Sequence, residues 1–115
     1  MTDRELLELA AKAAGIEVVL HPNRGYFPDL VFVSVVTGKN WNPLTDDGDA
    51  LRLAMDLGIT VGKSNSHLEK DQVIASTFRE YGVGIWLFEH YGNDKYSAAR
   101  RAIVRAAAEI GKGMK

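Results

Sequence analysis

Carboxylates crowd the middle of the chain. Asp46, Asp47 and Asp49 lie within four residues, a density that could hold a divalent cation. The EF-hand loop runs D-x-[DN]-x-[DN]-G with a distant Glu, whereas this stretch reads D-D-G-D without that Glu. The structural alternative is a helix start, where acids cap free N–H groups and complement the dipole. The histidines are His21, His67 and His90. No pair stands at a metal-ligand spacing, and no H-E-x-x-H occurs. Glu89 and His90 follow an apolar run directly, and a strand end is where an acid–base pair of a small enzyme would sit in a cleft. Each histidine can equally be a solvated or hydrogen-bonded structural residue.

Phosphate and nucleophile motifs are fragmentary. Gly62-Lys63-Ser64 matches the end of a P-loop, but Leu57 stands where the first glycine belongs. Gly82 and Gly84 lack the third glycine of a dinucleotide fingerprint, and no G-x-S-x-G elbow exists. Two groups of residues suit recognition better. Arg101 and Arg105 are four apart with Arg100 beside them, a basic helix face that could meet phosphates or an acidic partner. Its alternative is a solvated outer face, partly neutralised by the i,i+4 pair Arg105–Glu109. The stretch from His21 to Pro28 holds Arg24 and Tyr26, residue types that dominate contact hot spots. Its aromatics can also fold over the core edge.

The elements that must carry these residues are legible in the hydropathy pattern. Thr2-Asp3-Arg4-Glu5 fits a capping box, and Leu6, Leu9, Ala10 and Ala13 continue at helical spacing to Gly15. That spacing predicts a helix over 3–14. Residues 16–20 are β-branched and read as a strand, and the Pro- and Gly-bearing stretch 21–29 as a loop. Residues 30–36, a turn at 37–40 and a return arm at Trp41 read as a β-hairpin. A second helix starts at Thr45 to Asp49, capped by Thr45 or Asp46, and ends at Gly58. Strands follow at 59–61, 73–78 and 84–88, with helix as the competitor at 73–78. The segment 84–88, apolar throughout, is expected to be central and covered on both faces, with Trp86 buried. A long helix runs from about Asp94, and Gly111 is expected to stop it.

Composition sets the outer bounds. The 115 residues are 46% hydrophobic and 25% charged, an ordinary globular mix. With no cysteine, disulfide scaffolds, thiol nucleophiles, Cys-ligated zinc and iron–sulfur clusters are excluded. The net charge is −1, which gives no overall field for nucleic acid. The C-terminal stretch from Asp94 nevertheless carries six Lys/Arg against two acids. No run approaches the ~18 apolar residues of a membrane span, and the acidic N-terminus does not read as a signal peptide. A cytoplasmic protein without membrane association is the expectation. Three amphipathic helices and an apolar strand together predict a mixed α/β (α+β) single domain over 1–115. The expected form is a three-layer α/β/α sandwich, with one mixed sheet of about four to six strands and three helices.

The string Trp41-Asn42-Pro43-Leu44-Thr45-Asp46-Asp47-Gly48-Asp49-Ala50-Leu51-Arg52-Leu53-Ala54 is distinctive. With the Ala/Arg-rich ending from Ala99 to Gly111 and the opening helix, it resembles the phage ABA-sandwich domain family. The resemblance implies an α/β/α sandwich in a phage or prophage protein, and it assigns no catalytic residues. The leading functional expectation is a non-catalytic accessory protein that binds a host or phage protein and uses no cofactor. Its partner-binding residues would come from Arg24, Tyr26, Arg100, Arg101 and Arg105. The alternatives are nucleic-acid binding through the basic C-terminal helix and a small enzyme with a cleft near Glu89 and His90.

Overall fold

Thr2 opens the first helix. Its Oγ1 accepts from the Glu5 N–H at 3.2 Å, and its hydroxyl donates to Glu5 Oε1 at 3.1 Å. In this computed structural model, residues 1–21, 31–63, 72–77, 86–90, 92 and 94–114 are described, the side chains of His21, Val31 and Trp86 excepted. The opening helix, α1 (Asp3–Ala14), closes at Gly15, whose φ of 70° is left-handed and natural only to glycine. Its apolar stripe buries Leu6, Leu7, Ala10 and Ala11.

Strands β1 (Val18–His21) and β2 (Val31–Ser34) pair antiparallel, with Val18 opposite Ser34 and Leu20 opposite Phe32. The expected return arm is present. Val33 bridges Asn40, and Trp41 N–H donates to Phe32 O at 2.8 Å. Helix α2 (Asp47–Leu57) is capped by Asp46 and ends at Gly58. Strands β3 (Ile59–Lys63), β4 (Gln72–Thr77) and β5 (Trp86–His90) form a second antiparallel sheet in that order. Residues 73–77 are thus strand and not helix. The alternating burial of β4 gives the reason, since Val73, Ala75 and Thr77 turn inward. Helix α3 (Lys95–Lys112) begins at the Asp94 cap and packs against α1, α2 and all three of these strands.

The chain is therefore a mixed α/β domain with three helices, as its hydropathy predicts. The sheet differs from expectation. Among the described residues, five strands divide between two antiparallel sheets and do not pair in one mixed sheet. Double cover of the apolar strand is also corrected. Among the described residues β5 lies at a sheet edge, and Phe88 is 45% exposed. The inward positions meet α3, which covers one face of the sheet, as is common for antiparallel sheets. The expected burial of the Trp86 ring concerns a side chain outside those described.

Gly111 has a different role from the expected stop. The helix runs on through Lys112, and a Cβ on Gly111 would collide with the Leu9 carbonyl of α1. Glycine here permits two helix backbones to touch, a close approach that only a missing Cβ allows. Ala98, Ala102, Ala106 and Ala107, all buried on α3, keep the neighbouring elements near in the same way.

Candidate binding groove

The Trp41–Thr45 turn holds the site together. Asn42 Oδ1 accepts from Leu44 N–H at 3.0 Å, an Asx-type turn with Pro43 fully buried at its centre. Asn42 N–H donates to Asp49 Oδ2 at 2.9 Å, and Asn42 O accepts from Asp46 N–H at 2.9 Å. The turn is thus tied to the first turn of α2. Arg100 ties it to α3, with Nε donating to Leu44 O at 2.9 Å and a terminal nitrogen on Asp47 Oδ1 at 2.7 Å.

Between this turn, the start of α1, the end of β2 and α2 lies an open groove of about 1250 Å³. Its apolar lining backs onto the core residues Leu7, Phe32, Trp41 and Leu53, which are buried, and the half-buried Ile16 and Leu44 reach its surface. The turn after β2 forms one rim, where Val36 is 88% exposed. Five carboxylates and three cations stand around it among the described residues. Most are already engaged. Asp3 pairs with Arg101 at 3.1 Å, Arg4 with Glu8 at 2.9 Å, and Arg52 with Asp49 at 2.7 Å. Glu17, Asp56 and Lys39 are exposed and have no ion pair among the described residues. Among the described residues the rim is therefore left net negative.

The residues singled out from the sequence scatter. Asp46 Oδ2 accepts from Asp49 N–H at 2.8 Å as the α2 cap, Asp47 holds Arg100, and Asp49 holds Asn42 and Arg52. Each acid of the cluster has a structural partner. No group of three metal-ligating residues occurs among the described residues. Arg100 is mostly buried, with 17% of its side chain exposed. Arg101 faces Asp3, and Arg105 donates to Phe88 O at 3.2 Å and pairs with Glu89. All three arginines thus point at partners within the chain.

Glu89 and His90 are neighbours in sequence and face opposite sides of β5. Glu89 lies opposite Val73 and meets Arg105 of α3, whereas the exposed His90 lies opposite Gln72 and contacts its Nε2 at 3.2 Å. Successive side chains of a strand alternate between faces, so the two do not form an acid–base pair. Gly62 and Lys63 end β3 as extended backbone. Arg24, Tyr26, His67, Ser64, Gly82 and Gly84 lie outside the described residues.

Sequence reasoning missed the groove, because its walls come from four separate elements. One of its rim residues did carry a local signal. Asp56 sits in the last turn of α2, at the negative end of the dipole, and that turn holds no basic residue. An acid there opposes the helix field. Among the described residues, no helix is long and apolar enough to cross a membrane. Comparison with protein-family models, with curated proteins and with solved structures finds no match to this chain.

Proposed function

We propose that this chain is a phage or prophage accessory protein that acts by binding a protein partner, of phage or host, in the cytoplasm of the host cell. The observation that carries the reading is the groove, with its apolar lining and a hydrogen-bonded turn that holds it open. Its volume of about 1250 Å³ exceeds the roughly 300–1,000 Å³ of typical small-molecule pockets. An open site of that size suits a polypeptide segment better than a small substrate. The phage assignment rests on the resemblance of the Trp41–Ala54 string, the C-terminal helix and the opening helix to the phage ABA-sandwich family.

Site-specific photo-cross-linking in host cells tests this reading. A photoreactive residue at Thr37, on the groove rim, is expected to capture one protein reproducibly. The same residue at Lys63, outside the groove, is expected to capture far less of it. The purified partner should then cross-link to Thr37 and be competed by unlabelled chain. Equal capture from the two positions overturns the reading.

A further inference from the structure

We infer that the groove takes a basic, amphipathic segment of the partner, with apolar side chains against Ile16, Leu44 and Val36 and Lys or Arg on the rim. The inference rests on the protein-binding reading and adds the chemical class of the bound segment. Three observations lead to it.

The first is charge. Once the intramolecular pairs are set aside, Glu17 and Asp56 remain on the rim against Lys39 among the described residues, and the Asp46–Asp49–Arg52 group keeps one net negative charge. A cationic segment is drawn to such a rim and an anionic one is repelled. The second is the local cost of Asp56. An acid at the C-terminal end of a helix weakens that helix, and nothing within the described fold repays it, because Asp56 has no ion pair there. A cation from outside would. The third is apolar surface. The half-buried Ile16 and Leu44 and the exposed Val36 offer hydrophobic contact beside the acids. A purely polar polycation would leave that contact unused, so the segment must carry both kinds of side chain.

The full chain is titrated into a fluorescein-labelled peptide of Lys and Leu at amphipathic helical spacing. Two comparison peptides carry Glu for each Lys, or Ser for each Leu. Anisotropy at low salt reads affinity. The Lys/Leu peptide is expected to bind best. The double variant Glu17→Gln with Asp56→Asn is expected to weaken it about five- to tenfold, the scale of two exposed ion pairs. The same charge loss by Glu5→Gln with Glu109→Gln, away from the groove, should leave affinity within about twofold. Circular dichroism checks that each variant is folded, and Glu17→Gln alone replaces the double variant should that one unfold.

Equal affinity for the Lys and Glu peptides overturns the inference, as does an equal loss from the two double variants. So does a dimer, seen by light scattering, that dissociates on rim neutralisation, since the groove would then hold a second copy of this chain. Failure of the peptide with the Thr37 cross-link intact removes the charge class and leaves the protein-binding reading. Failure of both removes both.

Discussion

Single residues whose roles differ from their local appearance give the sharpest tests. Gly111 looks like a helix stop and is instead the contact point of α1 and α3. Gly111→Val should cost about 1–3 kcal/mol through overpacking, read as a lower urea midpoint with an unchanged slope. A neutral result would mean that the helices can separate there without loss. Asp56→Lys should act in the opposite direction. Removing an acid from the C-terminal turn of α2 and adding a cation should raise stability by about 0.3–1 kcal/mol. The same change should weaken the Lys/Leu peptide, so that stability and binding move apart. Such a trade is expected where a functional residue sits at a locally unfavourable position.

At the level of elements, Arg100 is the tie between α3 and the turn that shapes the groove. Arg100→Ala removes bonds to Leu44 O and Asp47 and leaves a part-buried carbonyl without its donor. A loss of about 1.5–3 kcal/mol is expected, the range for hydrogen bonds to charged groups. Thermal or urea unfolding measures it. The edge position of β5 makes a contrasting prediction. Phe88 is 45% exposed, so Phe88→Thr should cost about 0.5–1.5 kcal/mol, roughly half of what a fully buried side chain would lose. A cost of several kcal/mol would restore the doubly covered strand that its apolar sequence suggests. The strand's unbroken hydrophobicity mimics a central strand, yet pairing places it outermost among the described strands.

For the whole molecule, α3 is the common neighbour. It touches α1, α2 and the three-stranded sheet, and its buried residues run from Ala98 to Gly111. Amides of Ala102 to Ala108 should therefore exchange with solvent only through global unfolding, while those of β1 exchange through smaller openings. Hydrogen exchange read by NMR checks this ordering. Faster exchange in α3 than in β1 would show that α3 is not the centre of the fold. The local positive excess on this helix has a related explanation. Arg100, Arg101 and Arg105 project to Asp47, Asp3 and Glu89, acids on other elements. These C-terminal cations and the acids they meet are opposite halves of the same contacts.

Three helices, the Thr2 cap of the first, the start of the second at Thr45 or Asp46 and of the third near Asp94, and the left-handed ends at Gly15 and Gly58 were legible from residue order alone. The reason is that caps and 3.6-residue periodicity act over a few neighbouring positions. That Asp46 caps the second helix was one of the two local readings; that Asp47 and Asp49 instead hold Arg100, Asn42 and Arg52 was not open to local reasoning. Strand pairing was not, because partners such as Val73 and Glu89 are distant in the chain and an apolar strand does not reveal which sheet position it takes. The groove was hidden for the same reason. Leu7, Phe32, Trp41 and Leu53 come together behind it only when α1, β2, the Trp41–Thr45 turn and α2 pack around α3. Local order set the elements and their ends; long-range packing chose the sheet edges, paired Arg100, Arg101 and Arg105 with acids on other elements, and left Glu17 and Asp56 on the rim of an open groove.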